Sequence, residues 1–200
     1  MTYLFIYRMT SDTGMAPCVD NNLLSLACCK GGQVRNGKPI KTGLRYRIGS
    51  KRESDYEKDD VYILGIYKSK MLYLAQVTAV MPMTEYYREK SNGRTDDLYR
   101  VVNGKLERNN KLKNIHTKSS GEDKRDIAGE YVLLSDDFIY LGGDAVAIKS
   151  IEEYYPKFRE TKIYSGEEAK HIIDVCKQAD DKKKHKPTKP LGAKCGGCHK

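Results

Sequence analysis

The chain opens on TYLFIYRM, a run of β-forming residues with no polar face, which predicts a strand buried on both sides. Residues 11–22, SDTGMAPCVDNN, are dense in turn formers and predict a long loop. The apolar LLSLACC reads as a buried segment ending at KGGQVRNGK, whose glycines beside basic residues suit either a close backbone approach to a ligand or a surface turn. LRYRIGSK, DDVYILGIYK and KMLYLAQVTAV, separated by tight polar breaks, then predict a three-stranded meander. Pro82 and TEYYREK predict a helix with Thr84 as N-cap and Glu85 in its first turn. Residues 88–130 are rich in Asn, Lys, Arg, Gly and Asp, a long polar insertion that is functional, partly ordered, or both. Apolar patterning returns in EYVLLSDDFIYLGGDAVAI, two strands around SDD, followed by a surface helix or turn in SIEEYYPKFR. In SGEEAKHIIDVCKQAD, Ser165 as cap and the spacing of Ala169, Ile172, Ile173 and Cys176 predict an amphipathic terminal helix, with Cys176 a core thiol.

This alternation predicts an α+β fold: a curved mixed or antiparallel sheet, or a small barrel, with a C-terminal helix. The length of 200 residues suits one domain over residues 1–180, leaving 181–200 as a flexible basic tail. The net charge of +9 sharpens that division, because lysines without any acid follow Asp181 and the domain itself is nearly neutral. Attraction to polyanions would therefore act largely through the tail. No stretch is apolar enough to span a bilayer and MTYLFIYRMTSD lacks the features of a secretory leader, so a cytoplasmic protein without membrane contact is expected. Its six cysteines are then expected as reduced thiols or metal ligands. The 15 tyrosines, against 3 phenylalanines and no tryptophan, suit half-buried strands and wet binding surfaces equally.

Three stretches taken together resemble one family: SDTGMAP with SLACCK and Arg35; GSK followed by MLYLAQVT and TEYY; and LLSDDFIYLGG. The family is nucleotide modification associated domain 2, found mainly in bacterial and phage genomes. The resemblance implies work beside nucleotide- or DNA-modifying enzymes or phage-defence systems. The middle stretch is also similar, at fold level, to small barrels of the PUA and EVE type. The chain departs from the family in lacking tryptophan and in carrying Leu141 where an aromatic is usual.

Candidate chemistry follows from the matching positions. Asp136 and Asp137 could contact a ligand hydroxyl, a base edge or a metal, or belong to a structural turn; Asp12 could hold a ligand or stabilise the SDTG turn. Lys30, Arg35, Ser50 and Lys51 make a phosphate site in which the GSK turn donates backbone N–H groups, the alternative being a solvated basic turn. Tyr73, Tyr86 and Tyr140 could stack on a base or pack across strands. His116, Asp136 and Asp137 are the candidate catalytic groups should the protein act on its nucleotide rather than only bind it. Cys195, Cys198 and His199 in CGGCHK supply at most three zinc ligands, so the tail is metal-capable, and haem attachment or a redox dithiol fits its setting less well.

Overall fold

The computed structural model describes residues 1–52, 59–109 and 120–181. Its strands in chain order are β1 (Thr2–Met9), β2 (Cys18–Asp20), β3 (Leu23–Leu26), β4 (Gln33–Arg35), β5 (Lys38–Ile40), β6 (Asp60–Tyr67), β7 (Lys70–Gln76), β8 (Ala79–Pro82), β9 (Tyr99–Val102), β10 (Lys105–Arg108), β11 (Tyr131–Ser135), β12 (Phe138–Tyr140) and β13 (Thr161–Ser165). The α-helices are α1 (Leu44–Arg52), α2 (Met83–Glu89), α3 (Ser120–Ile127) and α4 (Gly166–Asp181).

The unbroken apolar run of β1 is explained by its position. It lies inside a five-stranded sheet of order β12-β7-β6-β1-β13, parallel to β6 and antiparallel to β13. Leu4 and Ile6 meet Ala169, Ile172, Ile173 and Cys176 of α4 on one face. Phe5, Tyr7 and Met9 meet Leu24, Leu26, Leu44 and Ile48 on the other. A strand covered on both faces cannot alternate, because each fully buried Leu, Ile or Phe contributes about 1.5–3 kcal/mol. The apolar positions foreseen in α4 are all buried, and burial pushes the Cys176 thiol up to about 12.

A second sheet, of order β2-β3-β11-β8, stacks on the inner face of the first. The two are joined at one corner, where β7 continues into β8 and β11 into β12. Gln76 N–H donates to the Asp137 carbonyl and Thr78 N–H to that of Leu134, both at 2.9 Å, so the antiparallel ladder turns from one sheet into the other. This pairing leaves β13 and β2 as sheet ends: among the described residues there is an α+β fold with several sheets and no closed barrel.

The expected strand LRYRIGSK is instead α1. Leu44 and Ile48, four residues apart, share the face that enters the core. Gly49 lies so close to Tyr131 that a Cβ would sit 2.3 Å from the ring. A helical glycine costs about 1 kcal/mol relative to alanine, and here that cost is offset by close packing on β11. The start of α2 also differs: Pro82 is the N-cap, and Thr84 lies within the first turn. The polar stretch 88–130 is partly regular, contributing the β9–β10 hairpin and α3.

Candidate functional site

The inner face of β1 carries the chemistry. Tyr7 is fully buried and its hydroxyl shares a 2.8 Å hydrogen bond with that of Tyr73, the rings meeting edge to face. A Cβ on Gly65 would lie 2.2 Å from the Tyr73 ring, so the absence of a side chain at that position makes room for it. Burial pushes both phenols well up and keeps them protonated donors. Asp12, also fully buried, accepts a 2.8 Å hydrogen bond from Tyr140. The Tyr140 phenol is raised by burial, by this bond and by the Asp12 charge. Asp12 and Tyr140, both expected as ligand contacts, therefore meet beneath the surface, while Tyr73 forms part of the floor.

Above that floor passes the loop after β3. Cys29 and Lys30 both have positive φ, 56° and 49°, conformations that cost a non-glycine residue about 1–3 kcal/mol each. A clamp holds them there. Asp126 Oδ1 accepts from the Cys29 N–H at 2.7 Å, Arg45 Nε donates to the Cys29 carbonyl at 2.7 Å, and Arg45 N–H donates to the Lys30 carbonyl at 3.2 Å. The Arg45 guanidinium, wholly buried, also donates to the carbonyls of Tyr131 and Asp126. Gly129 must be bare for this, since a Cβ there would come within 2.5 Å of the guanidinium. The clamped loop sets Lys30 Nζ 4.8 Å above the Tyr7 ring centroid, and burial lowers the affinity of its amine for a proton. Lys30, Cys29, Met9, Thr10, Ser11 and Thr13 line a cavity of about 50 Å³.

A second cavity, of about 220 Å³, opens beside Phe5 and is lined by Lys41, Tyr46, Arg47, Ser50 and Lys51, with no carboxylate among the described residues of its lining. Lys41 is paired with Glu130, which raises its ammonium, and also lies 5.5 Å from the Tyr46 ring centroid. Phe5, Tyr7 and Met9 point the same way from β1, so the two cavities lie along one strand face, about 13 Å apart at about 3.3 Å per residue. Ser50 and Lys51 thus line a cavity as parts of a helix; their N–H groups are not those of a turn.

The remaining candidates are placed elsewhere. Asp136 and Asp137 are exposed at the corner joining the sheets. There Asp136 N–H donates to Thr78 Oγ1 at 3.3 Å and the Asp137 carbonyl accepts from Ser135 Oγ at 2.8 Å. Asp137 also borders a cavity of about 330 Å³ with Tyr62, Gln76 and Lys177, on the α4 face of the sheet. Arg35 is exposed at the end of the β4–β5 hairpin. His116, Cys195, Cys198 and His199 lie outside the described residues. Among the described residues there is no group of three or more His, Cys, Asp or Glu side chains able to hold a metal ion.

Tyr86 belongs to a buried network. Its hydroxyl donates to Asp96 at 2.9 Å and accepts from Arg94 Nε at 3.0 Å. Ser25 Oγ donates to Asp96 at 2.6 Å, and Arg94 reaches the carbonyls of Cys18 and Leu23. Burial raises the Asp96 carboxyl above the ordinary carboxylate value. This network ties the loop after α2 to β2 and β3, and its polar groups are engaged with one another rather than with an open cavity. Neither Arg94 and Asp96 nor Arg45 stood out in the sequence. Their one signal is charge adjacent to glycine, in GRTDD and in GLRYR, which is common on surfaces as well.

Compared with known protein families, residues 1–194 match the family model described as nucleotide modification associated domain 2. No curated protein and no solved structure shows a significant match. No helix of the described residues is long and apolar enough to cross a membrane.

Proposed function

The chain belongs to the nucleotide modification associated domain 2 family, and on that premise we propose that the two cavities bordering the inner face of β1 bind a nucleotide or a modified nucleic-acid base. One observation carries this reading: among the described residues Arg47, Lys51, the Ser50 hydroxyl and Lys41, the last paired with Glu130, line one cavity, on the strand face that also borders the Lys30 cavity. A phosphate suits the first cavity, where guanidinium and ammonium groups supply charge-assisted hydrogen bonds. The base lies toward the Lys30 cavity. Asp136 and Asp137 have no part in it. In this account the protein holds its ligand beside a nucleotide-modifying enzyme in a bacterial or phage cytoplasm. The analogy with PUA- and EVE-type modules belongs to the same proposal, the bent β7–β8 and β11–β12 strands standing in for those of a barrel.

Partly hydrated cations contribute on the order of 1 kcal/mol each to a phosphate at contact distance. Exchanging all three for glutamine then weakens binding by ~100-fold. Calorimetric titration of the full chain with nucleoside monophosphates, with and without a substituent on the base, tests this against the corresponding nucleosides. Expected are tighter binding of the phosphorylated form and its loss in the Lys41→Gln, Arg47→Gln, Lys51→Gln variant. A Lys70→Gln, Lys105→Gln, Lys149→Gln control, of equal charge change at exposed sites, keeps the affinity. Absence of heat and of any melting shift with every nucleotide overturns the proposal.

A further inference from the structure

Three features meet at Lys30. Its backbone and that of Cys29 are held in an unfavourable conformation by Arg45 and Asp126, so the direction of the side chain is imposed by the fold. Among the described residues its Nζ has no carboxylate within ion-pair distance; it lies over the Tyr7 ring, with the Cys29 thiol and the Arg159 guanidinium as its titratable neighbours. And it lines a cavity with the residues Thr10, Ser11 and Thr13. A cation over an aromatic face gains about 0.5–2 kcal/mol, less than the several kcal/mol that burying an unpaired ammonium costs. Burial lowers the affinity of this amine for a proton, so more of it is unprotonated at a given pH than of an exposed lysine.

The size of the cavity limits what enters it. At about 50 Å³ it is much smaller than the cavity of about 220 Å³ beside Arg47, and suits a small substituent better than a whole base. An unprotonated amine in a cavity that hydroxyl-bearing side chains also line suits a carbonyl, whose carbon accepts the nitrogen lone pair and whose oxygen accepts hydrogen bonds.

We propose that Lys30 is a nucleophile that forms an imine with an aldehyde carried by a nucleotide. The Nζ lone pair adds to the carbonyl carbon and the π pair of the C=O bond moves to oxygen, giving a carbinolamine. Two hydrogens from nitrogen leave with that oxygen as water and C=N remains, with no oxidant or reductant consumed. This inference rests on the nucleotide reading of the same two cavities and names its substrate class. Two sources carry the group: a formyl substituent on a base, or the ring-opened sugar of an abasic site.

The test incubates the full chain with formylated deoxyuridine monophosphate, or with an oligonucleotide containing one abasic site, and reduces any imine with borohydride. Intact mass and peptide mapping follow. Expected is one adduct per chain, at Lys30, formed at least tenfold faster than at exposed Lys70, with a rate that rises at lower pH than for an ordinary lysine. Lys30→Arg keeps a long basic side chain and abolishes the adduct; its melting temperature reports folding, and peptide mapping of the unmutated chain decides the matter even if the variant does not fold. Trapping by the mononucleotide assigns the formylated base, and trapping by the oligonucleotide alone assigns the sugar aldehyde. Labelling spread over surface lysines, with Lys30 no faster than Lys70, overturns the inference. If deoxyuridine monophosphate binds and neither aldehyde is trapped, imine chemistry fails and the nucleotide reading stands. If no nucleotide binds while butanal still labels Lys30 selectively, the reverse holds.

Discussion

Replacing Arg45 with methionine tests the clamp on the Cys29–Lys30 loop. The side chain is fully buried, and its three donors serve the carbonyls of Cys29, Tyr131 and Asp126. Hydrogen bonds from a charged donor are worth about 1.5–3 kcal/mol each, a gross contribution of roughly 5–9 kcal/mol. Against this stands the cost of desolvating a guanidinium, itself several kcal/mol. Methionine fills much of the volume and removes the charge but withdraws the guanidinium from three inward-facing carbonyls, of which that of Asp126 keeps the Gly129 N–H, so the net loss is about 3–5 kcal/mol. For a chain of this size each kcal/mol lowers the melting temperature by about 2–4 °C, giving a fall of roughly 6–20 °C. Urea unfolding of Arg45→Met beside Arg47→Met measures it. Arg47 is exposed on the same helix, and its substitution is expected to stay within about 0.5 kcal/mol. A loss below 1 kcal/mol at an unchanged urea dependence would refute the reasoning, for the loop would then be held in some other way.

Gly65→Ala is expected to destabilise by about 1–3 kcal/mol through overpacking against the Tyr73 ring, and by more if Tyr7 loses its hydroxyl partner. Tyr73→Phe removes the hydrogen bond alone, so denaturant midpoints of the two variants separate the contributions. The raised carboxyl of Asp96 makes a pH prediction: the folded state keeps a proton that the unfolded state has released, so its contribution is present below the ordinary value of 3.8 and is lost as pH rises through the folded value. Stability of the unmutated chain relative to Asp96→Asn, measured by urea unfolding from pH 3 upward, is expected to fall across that window; a rise would contradict the burial argument.

What the sequence reveals depends on how local the cause is. Burial of β1 on both faces and the apolar stripe of α4 are written in consecutive residues. The SDD corner is equally local, because a turn between two apolar runs must break the ladder there. α1 is not local: Leu44 and Ile48 are too few to reveal a helical period, Arg45 points inward because carbonyls from two other loops await it, and Gly49 is set by Tyr131. Reading that segment as a strand hid Tyr46 and Arg47, which line the cavity together with Ser50 and Lys51. Asp12 and Tyr140 were both recognisable as candidates, yet their contact spans 128 positions and follows from the sheet order. The positive φ of Cys29 and Lys30 leaves no trace in the sequence, since neither residue favours it.

Hydrogen exchange read by mass spectrometry, with and without a saturating nucleoside monophosphate, tests the central claim most directly. Binding along β1 slows exchange in two stretches that are remote in sequence, the Cys29–Lys30 loop and α1, and leaves Asp136 and Asp137 and the α4 face of the sheet unchanged. Slowing confined to the surroundings of Asp136, Asp137 and Lys177, with α1 and the Lys30 loop unaltered, would place the ligand on the opposite face and contradict the account.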